Sequence, residues 1–104
     1  MNIEVTFRHD SLPQALREYA GKQFKKLERF GEEFEKGEIV FVQEAGEIVC
    51  EAILHRRKGE PLVAHHRAAE GRSVVDVVVG KIERQFLKAK EKLSAKTRRP
   101  RAAE

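Results

Sequence analysis

The order in which apolar spacing changes along the chain constrains the fold more than any other feature. Residues 3–7 alternate apolar and polar side chains, which is the pattern of a half-buried strand. Helical spacing follows over about residues 12–30, strand-like spacing returns in three segments over residues 39–68, and helical spacing resumes from Ser73. The sequence therefore predicts a strand, a helix, three strands and a second helix.

The first predicted helix has signals at both ends. Ser11 can cap the N-terminus, while Pro13 and Gln14 suit the first turn, where Gln14 can reach back as in a capping box. Gly31 follows the last apolar residue of the pattern and can end the helix. We expect this helix to cover about residues 12–30.

Three β-rich segments come after an acidic connection at residues 32–37. Gly46 and Gly59 lie in the polar turns between them, and the short spacing suits an antiparallel meander. The strands are expected at residues 39–42, 48–55 and 62–68.

The second helix begins with another capping pattern, because Ser73 is followed three residues later by Asp76. Its apolar spacing holds for about five turns, to Leu93. Beyond it the periodicity is lost. We expect one domain over residues 1–95 and a basic, disordered tail over residues 96–104.

This element order predicts the fold class. The simplest compact arrangement is an α+β two-layer domain of order β-α-β-β-β-α, in which both helices pack on one face of a four-stranded sheet. The other face of the sheet then meets solvent or a partner.

Positive charge is concentrated near the C-terminus. Residues 1–80 contain 12 basic and 14 acidic side chains, whereas residues 81–104 contain 9 basic and 3 acidic ones. This distribution favours a polyanionic partner, although a solvated basic face would look the same.

Each helix has a row of cations beside its apolar face. Successive members lie about one turn, roughly 5–6 Å, apart, which is close to the spacing of phosphates along a nucleic acid strand. If both helices pack on one sheet face, the two rows can form the walls of one positive groove. The first basic row is Lys22, Lys25, Lys26 and Arg29, and the second basic row is Lys81, Arg84, Lys88 and Lys92.

The sequence favours structured RNA among the possible nucleic acids. There is no tryptophan, no aromatic-rich strand motif for stacking single-stranded bases, and no helix-turn-helix or zinc-finger pattern. Recognition of the RNA backbone and its shape fits the two basic rows best. The basic turn at residues 56–58 could add to this surface or lie at a distant end of the sheet.

Other classes of function find little support. No apolar run is long enough to cross a membrane, and the polar N-terminus is unlike a signal peptide. Cys50 lies in an apolar run, so we expect a buried thiol in a reducing cytosol. The histidines lack metal-ligand spacing, and no nucleophile has an evident base. We expect no enzymatic activity, cofactor or metal.

Three segments resemble the ribosome hibernation promoting factor family. Residues 15–30 read ALREYAGKQFKKLERF, residues 51–55 read EAILH, and residues 81–93 read KIERQFLKAKEKL. The resemblance covers about residues 1–93. It implies a fold similar to double-stranded RNA-binding domains.

The resemblance also implies a role. Members of this family occupy the decoding region of the small ribosomal subunit, across the path of mRNA and tRNA, and silence translation under stress. The expected partner is therefore the small subunit and its rRNA, which both basic rows would contact. A cytoplasmic protein that is monomeric away from the ribosome is implied, with no membrane and no small-molecule substrate.

The sequence departs from the family in two ways. An Asp-Met-Tyr segment usually begins the second helix, whereas residues 70–73 here read EGRS. The extra C-terminal dimerisation domain of the long family forms is not found in this sequence, which argues against ribosome dimerisation driven by the protein itself.

Two other hypotheses remain open. The basic helix or the exposed sheet face could dock an acidic protein partner, in which case bulk RNA would not compete. A small RNA-processing enzyme is the third possibility, and a strongly shifted pKa at His55 or His66 would favour it.

Overall fold

The computed structural model describes residues 2–8 and 12–97, with only the backbone described for residues 31–33 and 91–97. A 3₁₀ helix, Lys26–Glu33, continues directly from the first α-helix. The order of strands and helices confirms the one predicted from the sequence. The elements are β1 Asn2–Phe7, α1 Gln14–Lys25, β2 Phe34–Glu44, β3 Glu47–Arg56, β4 Leu62–Ala68 and α2 Gly71–Thr97.

The four strands form one sheet in the order β1-β2-β3-β4. β1 and β2 are parallel because α1 carries the chain back between them, whereas β2, β3 and β4 form the predicted antiparallel meander. α1 packs on β1, α2 packs on β3 and β4, and the two helices also contact each other. The predicted two-layer α+β fold is confirmed.

One hydrophobic core fills the space between the helices and the sheet. Alternate residues of each strand point towards the helices and form the inner face of the sheet, and the remaining residues form its outer face. Small side chains at Ala20 and Ala52 are fully buried, which lets backbone elements approach closely. The largest fully buried side chains are Phe24, Leu27, Ile39, Phe41, Leu54, Ile82 and Phe86.

The first helix differs from its predicted form at both ends. α1 begins at Gln14 after Pro13, whose side chain makes no capping hydrogen bond, and the predicted cap Ser11 lies outside the described residues. From Lys26 the helix tightens to 3₁₀ geometry. The predicted acidic connection is shorter than expected because β2 already begins at Phe34, whose buried ring packs against Phe86 at 5.0 Å.

The second helix begins earlier than predicted. α2 starts at Gly71, and Ser73 Oγ donates a hydrogen bond to the Glu70 carboxylate 2.7 Å away, so Ser73 is not the cap. Glycine suits this start because a Cβ at residue 71 would lie 2.8 Å from Leu16 Cδ1. The backbone of α2 continues to Thr97, two residues beyond the predicted domain boundary, and the rest of the predicted tail lies outside the described residues.

Candidate RNA interface

The first basic row begins on the side of α1 that faces away from the sheet and continues into the 3₁₀ helix. α1 buries Leu16, Ala20 and Phe24 against the core, and helical geometry places Lys22 and Lys25 on the opposite side. The other two members of the row belong to the 3₁₀ helix. All four members of the row are exposed. They are Lys22, Lys25, Lys26 and Arg29.

The second basic row lies on the flank of α2 nearest the edge strand β4. Lys81 Nζ donates a hydrogen bond to the backbone oxygen of His65 at 2.8 Å, and Gln85 Nε2 donates one to the backbone oxygen of Val63, also at 2.8 Å. Arg84 and Lys88 are exposed. Lys92 is on the α2 backbone, but its side chain lies outside the described residues.

The opposite flank of α2 contacts α1. We call this contact the seam and define it by two residue pairs, Tyr19 with Asp76 and Arg29 with Glu83. The Tyr19 hydroxyl donates a hydrogen bond to Asp76 Oδ1 at 2.6 Å, and the Arg29 guanidinium forms an ion pair with Glu83. The hydrogen bond to Asp76 is the main reason why the pKa of Tyr19 is raised above its ordinary value of 10.0. α2 therefore presents two carboxylates to α1.

The predicted arrangement of the two rows as walls of one groove is wrong. Asp76 and Glu83 lie about 140–160° around the helix axis from Lys81, so the flank of α2 that meets α1 is not its basic flank. Because α1 packs on β1 and α2 packs on β3 and β4, the basic flank of α2 turns outward to the β4 edge. Both rows lie in the helical layer, and Arg29 of the first row also belongs to the seam, which separates the rest of that row from the second row.

Most described cations of the two rows have no acidic partner. Among the residues that the structure describes, Arg29 is the one member of either row that forms an ion pair. Lys81 is held by a backbone carbonyl, and its ammonium retains two further N–H donors. The cations that remain without a described partner are Lys22, Lys25, Lys26, Arg84 and Lys88.

The outer face of the sheet has the opposite character. Lys36 lies 3.9 Å from Glu4 and 3.7 Å from Glu38, measured from Nζ to the nearest carboxylate oxygen. Arg67 is paired with Glu44 and Glu47 in the same way. The outer face thus neutralises its own cations, whereas the helical layer leaves most of its cations available to an anion.

The structure also locates the basic turn after β3. Arg56 lies on the inner side of the sheet, and its Cζ is 5.7 Å from the centre of the Phe86 ring. Lys90 Nζ lies 5.5 Å from the centre of the same ring. The turn is therefore beside the C-terminal half of α2, a contact that no sequence pattern indicated.

The described residues offer no evident catalytic centre. No group of three or more His, Cys, Asp or Glu among them is arranged to hold a metal ion. Burial, with a smaller effect of the negative charge of Glu51, raises the pKa of Cys50 to about 12, so its thiol stays protonated and unreactive at neutral pH. His55 Nε2 lies 2.9 Å from a Glu38 oxygen on the outer face.

None of the described helices is long and apolar enough to cross a membrane.

Comparison with known protein families shows which family this chain belongs to. The profile of the Sigma 54 modulation protein / S30EA ribosomal protein family matches residues 3–94. The chain belongs to this family. A ribosome hibernation promoting factor from Salmonella typhimurium and one from Escherichia coli K12 are each 30% identical over 96 residues, covering 89% of this chain and 97% of each relative. One from Azotobacter vinelandii is 26% identical over 92 residues, with 88% of this chain and 85% of that protein covered.

Solved structures share the fold of this family member. A ribosomal subunit interface protein from Coxiella burnetii superposes with a TM-score of 0.78 at 23% identity, over 88% of this chain and 99% of that one. The N-terminal domain of Protein Y from Thermus thermophilus gives a TM-score of 0.71 at 22% identity, over 82% of this chain and 94% of that one. The family resemblance inferred from the sequence is confirmed.

Proposed function

We propose that this protein binds the small ribosomal subunit, with the helical layer against rRNA, and silences translation by occupying the decoding region. The single observation that carries the proposal is the contrast between the two sides of the molecule. The cations of the basic rows are largely without acidic partners, whereas those of the outer face are paired. The name ribosome hibernation promoting factor, given to the relatives, supports the same target.

The chemistry of the helical layer suits the phosphate backbone of folded RNA. Exposed lysines and arginines at about one-turn spacing can each approach a phosphate and release condensed counterions. With about seven such contacts, affinity would fall roughly a thousandfold between about 50 and 200 mM salt. Binding of this kind recognises backbone geometry and needs no stacking of bases.

The two basic rows bind separate stretches of RNA backbone in this proposal. Because the seam separates them, a single phosphate run between the helices would meet Asp76 and Glu83. The first row instead faces outward from α1, and the second row faces outward along the β4 edge. Folded rRNA can supply two backbone stretches at once, which a lone single strand cannot do easily.

Silencing by this route requires occupancy and no chemical step. A cytoplasmic protein held over the decoding region by phosphate contacts blocks mRNA and tRNA by its volume alone. The resulting inhibition depends on protein concentration and is reversed by salt.

Competition on purified small subunits tests the function. Labelled tRNA and a short mRNA are bound to the subunits, and the protein is then added at increasing concentration. Because the same space is occupied, we expect tRNA and mRNA to be displaced as protein binds, and excess tRNA to slow protein binding. Bulk ribosomal RNA added as competitor should weaken protein binding, whereas a module for acidic proteins would be indifferent to it.

Simultaneous binding would contradict the proposal. If protein, tRNA and mRNA all remain on one subunit at saturation, the protein does not occupy the decoding region.

A further inference from the structure

The Phe86 ring is surrounded by cations at one end of the molecule. Arg56 Cζ and Lys90 Nζ lie 5.7 and 5.5 Å from its centre, on different elements. Lys58 is exposed in the turn that follows Arg56. We call these three residues, Arg56, Lys58 and Lys90, the basic end.

Aromatic contacts connect the basic end to the first basic row. Phe30 lies 4.6 Å from Phe86 between ring centres, and the Arg29 guanidinium lies 5.1 Å from the centre of Phe30. The basic end is therefore continuous with the last residue of that row.

The second basic row leads to the same end. Lys81 donates a hydrogen bond to the backbone oxygen of His65, and Gln85, one turn later in α2, donates one to that of Val63, which comes earlier in β4. α2 therefore runs antiparallel to β4. The next turn of α2, with Lys88, consequently lies towards the start of β4 and the turn that precedes it. Contacts from both rows therefore lead towards the basic end.

The Arg56 guanidinium lies between other parts of this end of the molecule. Its Cζ is 5.7 Å from the centre of the Phe86 ring, and a Cβ at Gly59 would lie 3.2 Å from its Nη1. Its Nε is buried without a hydrogen-bond partner, which is an unfavourable position for a polar atom. A phosphate bound by the outer guanidinium nitrogens would offset this cost.

No carboxylate in the described part of the chain neutralises this cluster. The contacts of Arg56 and Lys90 are both with Phe86, and Lys58 has none. Two cations at one aromatic ring, with a third exposed two residues after Arg56, favour a compact, multiply charged anion such as a phosphate group.

We propose that the basic end is a third phosphate-binding site, which contacts the RNA backbone between the stretches bound by the two rows. This inference rests on the proposed function and adds a site to it. Arg56 is a positioning residue as well as a ligand, because its packing on Phe86 fixes the turn that presents Lys58.

The test compares matched double variants on purified small ribosomal subunits, with affinity measured across a range of salt concentrations. Lys58→Gln with Lys90→Gln removes two charges from the basic end, and Lys36→Gln with Arg67→Gln removes two from the outer face. Because each lost phosphate contact lowers the salt slope by about 0.7–0.9, the first pair should lower it by about 1.5 and the second pair should leave it near the wild-type value. Arg56 is left intact because it packs on the core residue Phe86.

A third double variant, Lys26→Gln with Arg84→Gln, distinguishes failure of the third phosphate-binding site from failure of the proposed function. If this pair lowers the salt slope and the basic-end pair does not, the third site is wrong and the proposed function stands. If neither pair lowers the slope, binding does not use phosphate contacts of the helical layer, and the proposed function fails as well.

Discussion

Tyr19 forms a polar contact between the two helices. Its hydroxyl reaches from α1 to Asp76 of α2, and the Arg72 guanidinium lies 4.9 Å from the centre of its ring. The hydrogen bond needs a protonated phenol, since a phenolate beside a carboxylate would repel it. The seam between the helices therefore depends on the ionisation state of this residue.

Titration of Tyr19 tests this contact directly. It is the one tyrosine of the chain, and there is no tryptophan, so phenolate absorbance reports on it alone. The pKa of Tyr19 should lie above 10.0 in the folded protein, chiefly because Asp76 accepts its hydrogen bond. In Asp76→Asn the pKa should fall back towards 10, while an unshifted pKa in the wild type would mean that the contact is absent in solution.

The raised pKa of Tyr19 also predicts how its contribution to the free energy of unfolding changes with pH. A pKa raised in the folded state means that the folded protein retains the phenolic proton more strongly than the unfolded chain does. The contribution of Tyr19 is thus fully present below the unfolded pKa near 10 and is lost as pH rises through the folded pKa. At neutral pH the phenol is protonated and this contribution is fully present.

At the scale of elements, the β2–β3 hairpin contains a strained residue. The turn has Ala45 at φ +48° and Gly46 at φ +79°, so both central residues adopt left-handed conformations. Such two-residue turns match the twist of the strands and favour asparagine followed by glycine. Alanine at the first position raises the energy of the turn, because its Cβ disfavours positive φ.

Replacement of Ala45 tests this strain. Ala45→Asn should raise the free energy of unfolding by about 0.5–1 kcal/mol, because asparagine tolerates the left-handed region. That corresponds to an increase of about 2–8 °C in Tm for a domain of this size. Thr6→Asn, at an exposed position of β1, provides a control outside the turn. A decrease in Tm for Ala45→Asn would contradict the turn geometry.

The elements also show what a sequence can and cannot predict. Apolar spacing defined the strands, both helices and the inner face, because burial imposes a period of two or 3.6 residues. The start of α2 was placed too late because the close approach of Gly71 to Leu16 is a tertiary contact. Helical spacing also does not distinguish α from 3₁₀ geometry, so the sequence does not predict that the helix tightens from Lys26.

What a sequence can predict about the candidate site is limited for a related physical reason. A helical pattern identifies which residues share a flank, and it places Lys81, Arg84 and Lys88 on one flank of α2. It does not say which neighbour that flank meets. The neighbour of each flank depends on the sheet topology. Because β1 and β2 are parallel, α1 packs beside α2 on the β1 side of the sheet, and the flank of α2 that contains Glu83 faces α1.

The whole molecule has two electrostatically different sides. The helical layer exposes cations without described acidic partners, and the basic end extends this surface to the turn after β3. The outer face pairs Lys36 and Arg67 with carboxylates. The proposed orientation towards RNA depends on this polarity more than on the net charge of +4.

Lysine footprinting on small ribosomal subunits tests that orientation most directly. Lysines are acetylated at low occupancy in the free and the subunit-bound protein, and the modification of each is compared by mass spectrometry. We predict that Lys25, Lys26 and Lys88 lose most of their reactivity in the complex, while Lys36 on the outer face keeps the reactivity it has in the free protein. Protection of Lys36, with Lys25, Lys26 and Lys88 still reactive, would contradict the account.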